Sequence, residues 1–305
     1  MEVLRWFFTH RSQHDLTMES LYQVVGISRQ GFHQYRNRIE LCTERYEHIA
    51  DRAAHYRQTH MRMGARPLYI MMSAMEPASL LEGIGRDKFE KILMNNGLSV
   101  QPIRIFHKTT YSGAWRFPNL VEGLSVKELN QVWISDITYY RLRDGWAYLT
   151  FILDLYSRRC LGYALSEDLR TEQTTLPALE MALKTRDIQN YQHRLIFHSD
   201  GGGQYYDKDF LGQLKQFHIL SSMAEIVYEN PHMERFHGTA KNDYLIPWRV
   251  NSVSQLRKQV PRFAKLYNES RPHESLKYKT PMAFEQFVQQ IPLCQRPLVL
   301  FKKLN

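Results

Sequence analysis

The chain has 305 residues, enough for two or three small domains or for one catalytic domain with appendages. Its formal net charge of +9 suggests a polyanionic partner. The three cysteines are far apart and form no Cys-x-x-Cys pair, which argues against a disulfide framework and against a zinc site. With neither a signal peptide nor an apolar run of membrane-spanning length, the sequence indicates a reducing, cytoplasmic setting.

Positive charge is concentrated towards the C-terminal end. Residues 235–279 contain ten Lys or Arg against three acids, whereas residues 136–234 are net acidic. An acidic pocket for cations beside a basic surface is what a protein that cuts a phosphate backbone would need. The alternative is an ordinary solvated charged surface.

A helix-turn-helix pattern is predicted near the N-terminus. Thr17 can cap a first helix whose apolar side includes Val24, Gly26 supplies the turn, and Ser28 can cap a second helix. The polar side of that second helix would face a DNA groove and includes Arg29, Gln30, His33 and Arg36. The alternative is a helical hairpin with no DNA contact.

After residue 130 the residue pattern becomes typical of β-strands. Asp136 interrupts a buried strand of β-branched and aromatic residues, and Asp144-Gly145 predicts a hairpin turn into a second strand. A third strand covers 160–165, and a fourth ends at Asp200. Three strands in a meander, followed by helix, strand, helix, strand and helix, is the order of a ribonuclease-H-like α/β domain.

The sequence therefore predicts an α/β fold, with a ribonuclease-H-like catalytic domain preceded by an all-helical DNA-binding region. We expect four regions: a helix-turn-helix-like part (1–98), a basic linker (99–129), the catalytic core (130–245) and a basic helical C-terminal extension (246–305).

Three acids are candidates for metal-dependent chemistry. Asp136 and Asp200 belong to strands, and Glu234 follows Pro231 at the start of a predicted helix. Phosphodiester cleavage requires an activated oxygen nucleophile and a stabilised leaving oxygen, which two Mg²⁺ ions about 3.5–4 Å apart provide. Because Mg²⁺ prefers hard carboxylate oxygens, we expect Asp136, Asp200 and Glu234 to bind two Mg²⁺ ions, with Mn²⁺ able to substitute.

Five blocks occur in order between residues 131 and 288. They are Trp133–Tyr139, Asp154–Arg159, His198–Tyr205, Glu234, and a closing group of Tyr267–Asn268, Arg271–Leu276 and Thr280–Pro281. In this order they resemble the catalytic reading frame of bacterial insertion-sequence transposases, in the family of insertion sequence three, which is related to retroviral integrases. The first hundred residues are similar, more loosely, to the helical DNA-binding region of that family.

The resemblance implies an Asp-Asp-Glu transposase that performs 3′-end cleavage and strand transfer at the terminal inverted repeats of its element. Asp136, Asp200 and Glu234 fall on the three catalytic positions of the family. It further implies a bacterial, nucleoid-associated protein that forms homo-oligomers on the repeats and on target DNA. An upstream helix-turn-helix reading frame would supply a fusion or a partner, in which case the first residues here are a junction.

The third acid departs from the family pattern. The interval between Asp200 and Glu234 is 33 residues, a little short, and the region before Glu234 lacks the usual basic, glycine-containing loop. Glu229 is therefore a competitor, and Glu225 a weaker one. We favour Glu234 because Asn230 and the proline after it suit a helix start, although an acid can also occur there only to interact with the helix dipole.

Further residues carry weaker predictions. DNA phosphates are expected to contact Arg235, Lys241, Arg257 and Lys258. Asp154 is interpreted as structural, holding its loop through Arg158 or Arg159. Two rival functions remain: a ribonuclease-H-type nuclease without strand transfer, and a catalytically silent DNA-binding regulator derived from a transposase.

Overall fold

The computed structural model describes residues 1–100, 117–188, 194–224 and 231–300. The chain forms two compact units. The first, here called the helical unit, contains Met1–Thr59 and Met72–Ser99, and the second, the sheet unit, contains His60–Met71 and Val100–Asn305. Across the described ranges, no helix is both long and apolar enough to span a membrane. Most of the predicted linker, residues 101–116, lies outside the described residues.

Helices make up the N-terminal part of the described chain, and one of the boundaries between the two units falls within the fourth of them. In chain order they are α1 (Glu2–Thr9), α2 (Met18–Val25), α3 (Arg29–Thr59), α4 (Ala65–Met75), α5 (Ala78–Leu81) and α6 (Arg86–Asn95). The prediction of an all-helical N-terminal region is confirmed.

The helix-turn-helix pattern is present at α2 and α3. Thr17 Oγ1 accepts the Ser20 N–H at 3.2 Å, and Gly26 adopts a left-handed φ of +70° that lets the chain turn. The expectation for Val24 was wrong, because it is 85% exposed. Tyr22, packed 5.6 Å from the ring of Phe32, lies on the buried side of α2 and turns Val24 towards solvent.

The sheet unit is built on a mixed sheet. The described strands are β1 (Ser125–Val126), β2 (Val132–Leu142), β3 (Gly145–Asp154), β4 (Cys160–Ser166), β5 (Ile196–Ser199), β6 (Leu220–Met223) and β7 (Val299–Leu300). In the described residues the main sheet has the order β4-β3-β2-β5-β6, while β1 and β7 form a small antiparallel pair.

Strand directions follow the predicted topology. β2, β3 and β4 form an antiparallel meander, with the turn at Asp144-Gly145 as expected, and β5 and β6 then run parallel to β2. A long hairpin followed by parallel strands that alternate with helices is the predicted ribonuclease-H-like arrangement, which is thereby confirmed. It places β2 in the middle of the sheet, paired with β3 on one side and β5 on the other.

Helices cover both faces of this sheet. They are α7 (Thr175–Arg186), α8 (Lys208–Gln216), α9 (Pro231–Gly238), α10 (Val253–Glu269) and α11 (Pro281–Gln289), with a π-helical segment at Thr239–Leu245 that continues α9. One apolar core joins the sheet to α7 and α8. A second core joins the opposite face to α9, the π-helical segment, α10 and α11, and it includes the apolar stripe of α10, which is Leu256, Val260, Phe263 and Tyr267.

A proline and a glycine occupy special backbone positions in the sheet unit. A proline inside a helix usually kinks or breaks it, but α10 runs unbroken from Val253 to Glu269 with the exposed Pro261 in it. Gly162 of β4 permits a close approach to α7, because a Cβ there would lie 2.1 Å from the carbonyl oxygen of Ala178. The sheet and α7 are therefore in backbone contact at this point.

Candidate active site

The parallel pairing of β2 with β5 places two of the predicted acids side by side. Ile134 is paired with His198, and the same register continued by two residues brings Asp136 opposite Asp200. Neighbouring strands lie about 4.8 Å apart, and residues in register point to the same face. Asp136 is on the middle strand and Asp200 directly follows β5, so both carboxylates lie near the C-terminal end of β5.

Asp136 experiences the charges of the other two acids. Burial raises its pKa well above the ordinary value, and the negative charge of Asp200, with a smaller contribution from Glu234, raises the pKa further. The Ile137 N–H, 2.8 Å from Asp136 Oδ1, opposes this by stabilising the carboxylate. The site therefore concentrates negative charge that a cation would relieve.

Asp200 is held by the turn that follows it. The Gly202 N–H donates to Asp200 Oδ1 at 3.1 Å, while burial raises the pKa of this carboxyl group. A Cβ on Gly202 would lie 3.1 Å from the same oxygen, tighter than ordinary contact. Glycine at 202 thus leaves room for the backbone to approach the aspartate.

Glu234 is placed differently from the two aspartates. It is exposed on α9 and lines an open cleft of about 600 Å³ together with Arg235, Asp243 and Arg62. Within the described ranges, no group of three His, Cys, Asp or Glu side chains stands close enough to hold a metal ion. The competitors Glu225 and Glu229 lie outside the described residues.

His237 lies beside Asp136 and was not identified from the sequence. His237 Nδ1 lies 3.4 Å from Asp136 Oδ2, and burial, aided by the charge of Lys241, lowers the His237 pKa to about 3. His237 is therefore a neutral imidazole at physiological pH. Its position three residues after Glu234 on the same helix is the signal that could have revealed it.

Lys241 lies within the π-helical segment and is half-buried. Its charge acts on Asp136, and burial lowers the Lys241 pKa while Asp136 partly restores it. α9 ends at Gly238, and the wider turns of the π-helical segment that follows carry Lys241. Among the described side chains, Lys241 is the cation whose charge lowers the pKa of Asp136.

Asp154 has a structural environment, as predicted, but with other partners. Its Oδ1 accepts the N–H groups of Tyr156 at 2.9 Å and Ser157 at 3.0 Å, and Oδ2 accepts the Asn130 N–H at 2.7 Å. The arginine beside it is Arg186, at 3.4 Å, and not either arginine of its own loop. Asp154 therefore fixes the turn between β3 and β4.

The donor chemistry of the aspartate pair fits a divalent metal. Asp136 and Asp200 offer hard carboxylate oxygens, and neither forms a salt bridge with a Lys or Arg in the described part of the chain. The mutual repulsion that raises the Asp136 pKa is the interaction that a bound cation would reverse.

Some of the predicted DNA-contacting side chains are exposed, and others are half-buried in contacts within the protein. Arg29 and Gln30 are exposed at the start of α3, whereas His33 and Arg36 are half-buried. Arg36 stacks 4.6 Å from the centre of the Phe8 ring and forms a 3.3 Å pair with Glu40. In the sheet unit the exposed members are Arg235, Arg257 and Lys258.

Comparison with known proteins places the chain in a family. Two models of the integrase core domain match residues 127–227 and 227–281. The insertion element IS600 uncharacterized 31 kDa protein of Shigella sonnei is 31% identical over 281 residues, covering 88% of this chain and 98% of that protein. Transposase InsF for insertion sequence IS3A of Escherichia coli strain K12 is 27% identical over 292 residues, covering 92% and 98%.

A solved structure of the HTLV-2 integrase catalytic core domain in complex with magnesium is similar with a TM-score of 0.41 and 18% identity, covering 51% of this chain and 95% of that one. The integrase-core matches and the near full-length relatives agree with the five sequence blocks and with the strand order of the sheet. The chain belongs to the transposase family of insertion sequence three, within the retroviral-integrase superfamily.

Proposed function

We propose that this DNA transposase cleaves the 3′ ends of its element and joins them to target DNA, with Asp136, Asp200 and Glu234 as the metal-binding catalytic acids. The observation that carries the proposal is the pairing of β2 with β5, whose register brings Asp136 beside Asp200 near the C-terminal end of β5. Glu234 is proposed for the third position because it lies in the first turn of α9 and falls on the third catalytic position of the family pattern.

The side chains have separate tasks in this proposal. When bound, two Mg²⁺ or Mn²⁺ ions would supply the activated oxygen nucleophile and stabilise the leaving oxygen. Asp136, on the central strand, would hold the metal together with Asp200 and Glu234. The Ile137 N–H orients Asp136, the Gly202 N–H orients Asp200, and His237 lies beside Asp136 Oδ2.

The remaining regions would bind DNA and other copies of the chain. Residues 1–98 would recognise the terminal inverted repeats through Arg29 and Gln30 at the exposed start of α3. Arg257 and Lys258, exposed on the basic extension 246–305, would contact phosphates. Because each active site handles one strand end, the protein would act as a homo-oligomer on double-stranded DNA, with the upstream reading-frame product as a fusion or partner.

The test is a cleavage assay on a duplex that carries the terminal repeat, with Mg²⁺ present. Wild-type protein is expected to nick at the 3′ end and to form joined products, which a nuclease without strand transfer would not form. Asp136→Asn should abolish both activities while it leaves DNA binding intact, because it removes one carboxylate charge and keeps the side-chain shape.

The matched control is Asp144→Asn. Asp144 lies in the exposed hairpin turn before Gly145, where Asn-Gly is as favourable as Asp-Gly, so this variant changes the same charge on the same sheet without touching the site. It should cleave at the wild-type rate. Cleavage by Asp136→Asn at a similar rate would overturn the proposal.

A further inference from the structure

Tyr205 is buried in the turn that follows Asp200. Its ring belongs to the apolar core between the sheet and the helices α7 and α8, 5.6 Å from the ring of Phe210 and 6.1 Å from that of Phe197. Only 4% of the residue is exposed. A buried hydroxyl without a hydrogen-bond partner is costly, so the partner of this one shows which segment the tyrosine holds.

The partner of the Tyr205 hydroxyl is Ser135, the residue before Asp136 on β2. The two side-chain oxygens are 2.9 Å apart. Ser135 Oγ donates its single proton to the carbonyl oxygen of Phe151 at 3.0 Å, so the tyrosine hydroxyl donates and Ser135 Oγ accepts. Successive side chains of a strand point to opposite faces, so Ser135 contacts Tyr205 on one face while Asp136 points to the other, towards His237. The hydrogen bond therefore joins the two segments that carry the aspartates.

The turn that contains Tyr205 also holds Asp200. The Gly202 N–H donates to Asp200 Oδ1, and the Tyr205 N–H donates to the Gly202 carbonyl oxygen at 3.0 Å. A Cβ on Gly202 would lie 3.5 Å from Tyr205 Cδ2, so the tyrosine ring lies directly beside this glycine. The carbonyl oxygen of Gln204 accepts the hydroxyl of Thr175 at 3.2 Å, which fixes the turn to the start of α7. A displacement of Tyr205 would thus move the glycine that orients Asp200.

The charges of both aspartates act on Tyr205. Burial raises its pKa well above the ordinary value, and the negative charges of Asp200 and Asp136 raise the pKa further. The hydroxyl is therefore protonated at neutral pH and remains a donor. Because this hydroxyl bonds to Ser135, its effect on the two carboxylates passes through the backbone that positions them.

We propose that Tyr205 is a positioning residue, whose hydrogen bond to Ser135 sets the separation of Asp136 and Asp200 that metal binding requires. Mg²⁺ demands near-ideal ligand geometry, whereas two carboxylates without a cation repel each other. The hydrogen bond opposes that repulsion, since it ties the strand of one aspartate to the turn of the other. This role rests on the proposed function, in which both aspartates hold the metal.

Tyr205→Phe is the informative substitution. It keeps the packed ring, removes the hydroxyl and leaves Ser135 its acceptor on Phe151, so no buried donor loses its partner. The dissociation constant of Mn²⁺ for the full chain, measured from the electron paramagnetic resonance signal of unbound Mn²⁺, should rise about tenfold. In cleavage assays the Mg²⁺ concentration for half-maximal rate should rise by a similar factor, while the rate at saturating Mg²⁺ stays within about twofold of the wild type.

Tyr140→Phe is the matched control. Tyr140 lies on the same strand as Ser135, is also 4% exposed, and donates to the Val250 carbonyl oxygen at 2.9 Å. Both substitutions remove one buried hydroxyl hydrogen bond, so a loss of stability alone would affect the two variants alike. Only Tyr205→Phe should lose Mn²⁺ affinity. Equal Mn²⁺ affinities for the wild type and both variants would show a purely structural Tyr205 and overturn the proposal.

Ser135→Ala tests the other end of the hydrogen bond. It should weaken Mn²⁺ binding by a factor similar to that of Tyr205→Phe. The double variant should bind Mn²⁺ no more weakly than either single variant, because both substitutions remove the same interaction. Losses that multiply in the double variant would contradict the proposal, since they would show that the two side chains act independently.

Asp136→Asn separates the positioning role from the proposed function. If this variant loses Mn²⁺ binding while Tyr205→Phe binds Mn²⁺ like the wild type, the positioning role is contradicted and the metal site stands. If Asp136→Asn binds Mn²⁺ like the wild type, both the metal site and the positioning role are contradicted.

Discussion

A buried ion network joins the C-terminal helix α11 to the sheet, and its central residue is Arg186. The guanidinium donates to both oxygens of Glu285, with Nη1 2.9 Å from Oε2, and also lies 3.4 Å from Asp154 Oδ2. Arg186 is 8% exposed, Glu285 7% and Asp154 0%. Arg159 adds a 2.7 Å pair with Glu285.

Arg186→Met should destabilise the protein by about 3 to 5 kcal/mol, the cost of removing one partner from a buried pair. Two hydrogen bonds to a charged acceptor, worth about 1.5–3 kcal/mol each, lead to a similar sum. Burial alone would raise the Glu285 pKa, but the hydrogen bonds from Arg186 and Ser157 keep it below the ordinary value. Without Arg186, the carboxylates of Glu285 and Asp154 would be left with too little compensation.

The free energy of unfolding from urea titrations at pH 7 measures this loss. Arg170→Met is the control, because Arg170 makes a 2.7 Å pair with Asp168 at an exposed position, 68% and 42% accessible. Such a pair contributes up to about 1 kcal/mol. A loss below 1 kcal/mol for Arg186→Met, or equal losses for the two variants, would refute the reasoning.

Two further predictions concern packing and pH. Gly162→Ala should lower the free energy of unfolding by about 3 kcal/mol or more, because its Cβ would meet the α7 backbone. Gly212→Ala, at an exposed position of α8, should raise it by up to about 1 kcal/mol. Equal effects of the two variants in urea titrations would contradict this. Burial, with Arg271 and Arg262 nearby, lowers the His60 pKa to about 4. The stability that this lowered pKa represents is present above pH 6.5 and is lost as the pH falls towards 4. His60→Gln should therefore reduce the difference in unfolding free energy between pH 7 and pH 4.5 by about 2–3 kcal/mol. An unchanged difference would show that His60 does not titrate as inferred.

Local chemistry made much of the fold predictable. The Asp144-Gly145 turn, the apolar strands and the Gly26 turn are short-range signals, and the structure has the corresponding elements. Less predictable were features that depend on packing between distant segments. The buried face of α2 is set by Tyr22 against Phe32, and α10 continues through Pro261 because its apolar stripe is held in the core.

The candidate site shows the same division. Asp136 and Asp200 could be placed together from strand order alone, since parallel neighbours align their residues. His237 was missed because its importance comes from burial against another element, which no local pattern encodes. The π-helical segment that carries Lys241 was likewise not predicted from the sequence.

The most direct test of the central claim compares 3′-end cleavage rates for Asp136→Asn, Asp200→Asn and Glu234→Gln at one Mg²⁺ concentration on the same repeat duplex. If the three acids act as one metal-binding set, each variant loses cleavage by a factor of at least about 1,000, equivalent to about 4 kcal/mol of transition-state stabilisation, while DNA affinity is unchanged. A cleavage rate near the wild-type value in any one of the three would contradict the account.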